Sequence, residues 1–328
     1  MERFQKIALA ALVSVLVLIF AGAVVRATGS GLGCPDWPTC WGCLIPPWNV
    51  EQVDFDRIDL DKFRQKAERF GRDPSTITRE SLREEFNPVH TWVEFVNRLL
   101  ALPVGVLTLA TFGASLWQRR KRPGVFWASG VSLFVVIFNA WLGARVVYSG
   151  LSPGIITAHM ALAIVLVGLL VYVAWRGCAD PWRVRLPGSG AAIRGVGWIL
   201  LALVVTEGVM GSQVRELTDE LAKSHAGAER AEWTAELEGS STYLAHRSFS
   251  WLIVVGTVAL LGMIRRGRGR LGWLETAIGL LVFSLMVMGL ILAQVGVLQV
   301  VQVLHVGAAA LLVAALFLWL LATREASG

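Results

Sequence analysis

The sequence predicts an all-α polytopic membrane protein, with eight transmembrane helices arranged as two pseudo-symmetric four-helix bundles. Hydrophobic residues make up 55% of its 328 residues and charged residues only 16%, and the mean hydropathy is +0.59. This balance excludes a soluble two-domain protein. Eight long apolar runs follow one another along the chain, and the charged residues lie mostly between them. About 20 apolar residues in a helix suffice to cross a bilayer core of about 30 Å.

Each apolar run is long enough for one membrane span. The first run is too long for the apolar region of a typical signal peptide, and it lacks a convincing cleavage site before Arg26, so we expect a retained helix. The predicted spans are Ile7–Val25, Thr91–Trp117, Val125–Ala144, Ile155–Trp175, Gly195–Gln213, Leu244–Ile264, Leu274–Leu292 and Leu298–Thr323.

Basic residues define the predicted orientation in the membrane. They cluster before the first span and after the second, fourth and sixth spans, at Arg3, Lys6, Arg119, Arg120, Lys121, Arg122, Arg176, Arg183, Arg185, Arg194, Arg265, Arg266, Arg268 and Arg270. Because positive charge in short loops disfavours translocation, this side is predicted to be cytoplasmic, with both termini there. We therefore expect a multi-pass protein of the inner (cytoplasmic) membrane whose net charge of +6 reflects topology and not a nucleic-acid partner.

The opposite side carries the long loops. Two of them, Ala27–His90 and Val214–Tyr243, are mixed or acidic, and two short loops lie around Ser152 and Gly296. The segment Glu51–Glu85 is charged throughout, which predicts a helical insertion above the membrane.

The chain contains an internal repeat, which indicates a duplicated bundle. His159 and His305 are separated by 146 residues, and each follows a glycine by nine residues. The matching positions are Gly150 and Gly296, His159 and His305, Asn97-Arg98 and His246-Arg247, and Val25-Arg26 and Val214-Arg215. The repeat predicts two parallel halves, residues 1–176 and 177–328.

Three of the five histidines, His159, His246 and His305, lie a few residues inside spans near the outer side. Ionisable groups within a membrane usually mark a functional site. His246 and His305 lie at equivalent depths, so their rings could bind one flat ligand from opposite sides, as in a bis-histidine haem site. The alternative for a single histidine is a hydrogen bond to a neighbouring helix. The repeat-related pair favours haem, whereas His90 and His225 are expected to be solvated in loops.

The first half has Asn97 and His159 at the equivalent positions, and asparagine is not an ordinary haem ligand. The halves are therefore expected to differ, with a permanent cofactor in the second and a substrate in the first. Glu94, Asn97 and Arg98 share one helix face, where Glu94 could accept a proton and Arg98 could bind a propionate. A Glu94–Arg98 ion pair is an equally good interpretation.

Glu207 lies inside the fifth span. Its position indicates either a proton path or a helix–helix hydrogen bond.

Three cysteines, Cys34, Cys40 and Cys43, lie in the first outer loop, where disulfides are permitted, and Cys178 lies on the reducing side. Cys34 and Cys40 enclose a tight turn, which makes them a plausible redox or structural pair. Cys43 leaves the choice of partner open at this point.

Several motifs together resemble the haem A synthase family, CtaA/Cox15, over essentially the whole chain. They follow in the family's order on eight spans: Val24-Val25-Arg26-Ala27-Thr28-Gly29-Ser30-Gly31-Leu32-Gly33-Cys34-Pro35-Asp36-Trp37-Pro38, Glu94-Phe95-Val96-Asn97-Arg98, His159, Gln213-Val214-Arg215-Glu216, His246-Arg247 and His305. The resemblance implies an enzyme that oxidises the C8 methyl group of haem O to the formyl group of haem A by successive hydroxylations. It also implies haem b as cofactor, haem O as substrate, and a haem O synthase (protohaem farnesyltransferase) and an electron-transfer protein as partners, in membrane lipid.

The resemblance further implies roles for individual residues. His246 and His305 would ligate the haem b iron, and His159 would bind the substrate haem iron near Asn97 and Arg98. Glu94 would be a catalytic acidic residue, and Cys34 with Cys40 would be the outer-loop cysteine pair. From their matching positions, we infer that Arg26 and Arg215 face haem propionates in the substrate and cofactor sites, respectively.

Two features depart from the family pattern. Many members carry histidine where this chain has Asn97, so His159 alone would bind the substrate iron and leave its other face open. His90 would substitute only if the second span began earlier than predicted. Some members have a second cysteine pair between the fifth and sixth spans; this chain has no cysteine there, which excludes a disulfide relay between loops.

Two other classes of function compete with the synthase. A haem b electron carrier would use the same His246 and His305, exchange electrons between Cys34–Cys40 and external thiols, and reduce quinone. A haem or small-molecule transporter is disfavoured, because the polar residues cluster near one membrane face and paired broken spans are lacking.

Overall fold

The computed structural model describes residues 3–36, 39–69, 73–149, 153–187, 190–225 and 230–323. Within these ranges the chain forms eleven α-helices and no β-strand, and eight helices are long and apolar enough to cross a membrane. The helices are α1 Arg3–Ala27, α2 Leu60–Arg69, α3 Arg79–Glu85, α4 Pro88–Ser115, α5 Pro123–Tyr148, α6 Pro153–Arg176, α7 Gly190–Ser224, α8 Arg230–Gly239, α9 Ser241–Arg268, α10 Trp273–Gln294 and α11 Gln299–Ala322. The predicted all-α, eight-span fold class is confirmed. Of the predicted positions, Trp37, Pro38, Gly150 and Ser152 lie outside the described residues.

The start of α4 differs from the prediction. Asn87 caps the helix, and its side chain accepts hydrogen bonds from the backbone N–H groups of Val89 and His90 at 3.0 and 3.2 Å. Pro88 occupies the first helical position, where its missing N–H has no cost. The prediction that His90 lies in a loop is therefore wrong, because it belongs to the first turn of α4.

The end of α7 also differs from the prediction. The second outer loop was expected to begin at Val214, yet α7 continues to Ser224, since residues 214–224 contain no glycine or proline to end it. In contrast, α1 ends at Ala27, and Gly29 follows with a left-handed φ of 71°. The extension of α7 places residues 215–219 on one continuous helix instead of in a loop.

The spans pack in a pattern compatible with two related halves. Neighbouring spans pair as α1 with α4, α5 with α6, α7 with α9 and α10 with α11. The first and fourth spans of each half, α1, α6, α7 and α11, then meet between the halves. One apolar core lies mainly within α7, α9, α10 and α11 and another mainly within α1, α4, α5 and α6. This arrangement suits the predicted division at residue 176.

The first outer loop is a small folded unit. It contains α2, α3 and three short 3₁₀ turns, which confirms the predicted helical insertion. Its own core is formed by Cys34, Cys40, Trp41, Val53, Ala67, Ile77 and Leu82. Thr78 and Ser81 form a capping box that starts α3. The second outer loop is held by α8, whose Trp233 and Leu237 pack on Leu221 of α7.

Candidate functional site

The three intramembrane histidines and Asn97 occupy equivalent surroundings, because each faces a glycine of the paired helix. A Cβ added at Gly143 would lie 3.1 Å from Cε1 of His159, and one added at Gly211 would lie 3.2 Å from Cε1 of His246. The corresponding distances are 3.7 Å from Gly289 to Cε1 of His305 and 4.0 Å from Gly22 to Oδ1 of Asn97. These glycines follow the spacings of the internal repeat: 146 residues separate Gly143 from Gly289, as they separate His159 from His305, and 189 separate Gly22 from Gly211, as they separate Arg26 from Arg215. The absent side chain lets each ring lie close to the neighbouring backbone.

Four of the buried polar atoms that lack a hydrogen bond in the described part of the chain lie at these same positions. The Nδ1 atoms of His159, His246 and His305 and the Oδ1 atom of Asn97 are all buried without a hydrogen bond. Such atoms are rare because burying an unpaired polar group is unfavourable. The two halves therefore each hold a pair of polar side chains with unused bonding capacity.

Glu207 adds a polar contact beside His246. Its Oε1 atom lies 3.1 Å from His246 Nδ1, off the direction of an aligned hydrogen bond, and accepts a hydrogen bond of 2.5 Å from Ser250. The second carboxyl oxygen, Oε2, is buried without a partner. Sequence reasoning noted Glu207 as an acid within a span but did not connect it to the histidine.

A charge cluster joins the halves at their outer ends. Arg26 of α1 and Arg215 of α7 share the carboxylate of Asp219, at 3.7 and 2.8 Å. The two arginines are the repeat-related pair found in the sequence, and the Nε atom of Arg215 is buried without a partner. Asp219 was missed because the sequence analysis placed it in a loop, whereas it lies one turn after Arg215 on α7. An anionic group bound between the halves could therefore interact with the guanidinium groups of both Arg26 and Arg215.

Near this cluster, Thr157 of α6 donates a 2.9 Å hydrogen bond to Glu216 of α7. This contact links the fourth span of the first half to the first span of the second half. It therefore helps to fix α6, which carries His159, against α7, which carries Arg215.

Glu94 and Arg98 form the ion pair that the sequence left as one alternative. Glu94 is 3% exposed and contacts Arg98 at 2.5 Å, while its other oxygen accepts a 2.7 Å hydrogen bond from the Cys34 backbone. Arg98 also donates to the carbonyl groups of Cys34 and Asp36, both at 2.8 Å. The pair therefore attaches the cysteine loop to α4, one turn from Asn97.

The cysteine loop contains the predicted disulfide, between Cys34 and Cys40, with a Cα–Cα distance of 4.8 Å. Cys43 is free and pairs with Cys40 only through the backbone, so the choice of partner left open by the sequence is resolved. Gly33 is required by close packing, because a Cβ there would lie 2.3 Å from the His90 carbonyl oxygen. This contact explains one glycine of the first-loop motif.

Comparison with known proteins agrees with this arrangement. The sequence model of COX15-CtaA, described as "Cytochrome oxidase assembly protein", matches residues 5–317. The chain belongs to this family. The matched region of COX15-CtaA includes every candidate residue described above.

Several proteins named "Heme A synthase" are similar to this chain along most of its length. The protein named "Heme A synthase" from Caulobacter vibrioides is 27% identical in an alignment that covers 93% of this chain and 92% of that protein. The one from Rhizorhabdus wittichii is 27% identical, with 94% and 91% covered. The one from Shouchella clausii is 28% identical, with 73% and 68% covered.

Proposed function

We propose that this protein is a haem A synthase, which oxidises the C8 methyl group of haem O to the formyl group of haem A by successive hydroxylations. The observation that carries the proposal is the set of three glycine-facing histidines with buried, unpartnered Nδ1 atoms, in a chain that belongs to the COX15-CtaA family. Haem A biosynthesis is the function that accounts for both the family and the histidine pattern.

We assign the haem b cofactor to the second half, with His246 and His305 as iron ligands. These two residues fit the group, because both Nδ1 atoms are buried and the Nε2 atom of each ring would serve as the iron ligand. Haem b would supply one-electron redox chemistry when bound. Arg215, whose Nε atom lacks a partner, is suited to a propionate of this cofactor.

We assign the substrate haem to the first half. His159 would bind the substrate iron, and Asn97 would leave the opposite face without a strong ligand. Arg26 is the first-half counterpart of Arg215 and would bind a substrate propionate.

Glu94 lies one turn from Asn97 on the same helix face, so we assign it the catalytic acidic role in the substrate site. Arg98 directs its N–H groups to Glu94 and to carbonyl groups of the cysteine loop. For this reason we assign Arg98 to holding Glu94 and the loop beside the substrate, in place of a direct contact with a propionate.

The disulfide argues against the electron-carrier alternative. Cys34 and Cys40 are 0% and 1% exposed beneath the outer loop. Exchange with an external thiol requires access of that thiol to a sulfur atom. We therefore favour a structural role for the disulfide.

We propose an inner-membrane location with both termini in the cytoplasm. The last turn of α9 carries Arg265, Arg266 and Arg268, and the opposite side carries α8, which is rich in acidic residues. A haem O synthase would supply the substrate, and a separate electron-transfer partner would complete the oxidation.

The test is expression in a host that makes haem O but not haem A, followed by extraction and mass analysis of the haems. We expect haem A or its hydroxymethyl intermediate from the wild type. His246→Ala or His305→Ala should remove the haem b spectrum, whereas His159→Ala should retain it and abolish turnover. His225→Ala, outside the spans, is the matched control and should behave as the wild type.

Two outcomes would contradict these assignments. Bound haem b with unaltered haem O, under several electron-acceptor conditions, would favour the electron carrier. Loss of haem b only in His159→Ala would exchange the roles of the two halves.

A further inference from the structure

The second half contains a part-buried polar triad formed by Glu207, Ser250 and His246. Glu207 comes from α7, and the other two come from α9, one turn apart. Ser250 donates to Glu207 Oε1 at 2.5 Å, and the same oxygen lies 3.1 Å from His246 Nδ1. A carboxyl group therefore lies beside one of the two proposed haem ligands, within the membrane.

The first half has no equivalent of this triad. The repeat spacing of 189 residues relates Glu207 to Leu18, and the spacing of 149 residues relates Ser250 to Ala101 and His246 to Asn97. All three residues of the triad differ from their counterparts in the first half, so the carboxyl group is present in the half that has the histidine. Two apolar residues accompany the asparagine.

The triad contains two buried atoms that can satisfy each other. Glu207 Oε2 and His246 Nδ1 both lack a hydrogen bond, although they belong to neighbouring side chains. A rotation of the carboxyl group or of the ring would align an Nδ1–H donor with a carboxyl oxygen. His305 Nδ1 also lacks an aligned hydrogen bond, but its neighbouring acceptor on the facing helix is the backbone carbonyl of Leu285 and not a carboxyl group.

We propose that Glu207 is a positioning residue for His246. It accepts the Nδ1–H of the imidazole, which fixes the tautomer that presents Nε2 to iron. A carboxyl acceptor on the outer nitrogen of a ligating histidine also raises the basicity of the ring and favours the oxidised metal. Glu207 would therefore lower the reduction potential of a haem b held by His246 and His305, and the two histidines would differ in basicity. This inference rests on the proposed haem b site.

The experiment compares Glu207→Gln, Glu207→Leu and Ser250→Ala with the wild type, all purified with bound haem. The readouts are the midpoint potential from a redox titration and the low-spin g values of the oxidised haem from electron paramagnetic resonance. Glu207→Leu introduces the residue that the first half carries at this position, while Ser250→Ala removes a neighbour but keeps the carboxyl group.

We expect the midpoint potential to shift upward in Glu207→Gln and further upward in Glu207→Leu, with a change in the g values. Ser250→Ala should leave the potential unchanged or shift it downward, because the carboxyl group then has one hydrogen-bond donor fewer. Loss of haem from Glu207→Leu, with haem retained at a shifted potential in Glu207→Gln, also supports the proposal.

Wild-type potential and g values in haem-loaded Glu207→Leu would overturn the proposal. Absence of haem b from the wild-type protein is a different result, because it would refute the proposed function before Glu207 is tested.

Discussion

The attachment of the cysteine loop to α4 can be tested with Arg98→Met. In the wild type, Arg98 pairs with the buried carboxylate of Glu94 and donates to the Cys34 and Asp36 carbonyl groups. The Arg98 side chain is only 19% exposed and that of Glu94 only 4%. Removing one partner of a buried ion pair costs about 3–5 kcal/mol, because the other charge remains uncompensated. Local opening of the loop should therefore increase by roughly 10²- to 10³-fold or more, at ~1.4 kcal/mol per tenfold.

The assay is hydrogen exchange of residues 34–41 in the detergent-solubilised or nanodisc-embedded protein, because exchange reports local opening directly. Arg57→Met is the matched control in the same loop. Its ion pair with Asp54 has side chains 89% and 56% exposed, so its loss should have little effect. The double variant Glu94→Gln with Arg98→Met should recover part of the protection, since a neutral amide can still accept from the Cys34 backbone.

Unchanged protection of residues 34–41 in Arg98→Met would refute this account of the loop. If turnover were lost in that variant while protection stayed at the wild-type level, Arg98 would act on the substrate directly. The assignment of Arg98 to a positioning role would then be abandoned.

Three further predictions concern close packing and shared charge. Gly211→Ala should weaken haem b retention, judged by Soret absorbance, because its methyl group would lie 3.2 Å from the His246 ring, whereas Gly22→Ala, with no contact nearer than 4.0 Å, should be neutral. Gly33→Ala should make the outer loop sensitive to protease, since its Cβ would lie 2.3 Å from a carbonyl oxygen of α4; unaltered digestion would contradict this. Asp219→Asn should lower the free energy of unfolding by about 1 kcal/mol in thermal or denaturant melts, because the shared carboxylate is partly exposed.

The spans were predictable because the bilayer imposes a simple requirement on length and polarity. The helix ends outside the membrane were less predictable from the sequence. His90 lies in α4 because Asn87 and Pro88 provide a start signal, and this signal can be recognised in the sequence. The extension of α7 to Ser224 is harder to predict, since its polar residues resemble a loop and the helix is partly stabilised by contacts with α8.

The site was predictable where it follows the repeat and not where it depends on contacts between helices. The histidines and the two arginines were found by their spacing. Asp219 and Glu207 belong to the site because they contact Arg26 and His246, which lie on other helices. No periodicity in the sequence relates those pairs, because their distance depends on how the helices pack. The glycines opposite the histidines were missed for the same reason.

The glycine opposite each ligand position has a consequence for how such a protein can diverge after duplication. At Asn97, as at the histidines, the facing wall is backbone, so the side chain there makes little contribution to holding the helices together. Replacing a histidine by a smaller polar residue therefore requires no compensating change in its neighbour. One half can therefore exchange such a histidine for an asparagine in a single mutational step, while the other half keeps its own histidine on the same scaffold.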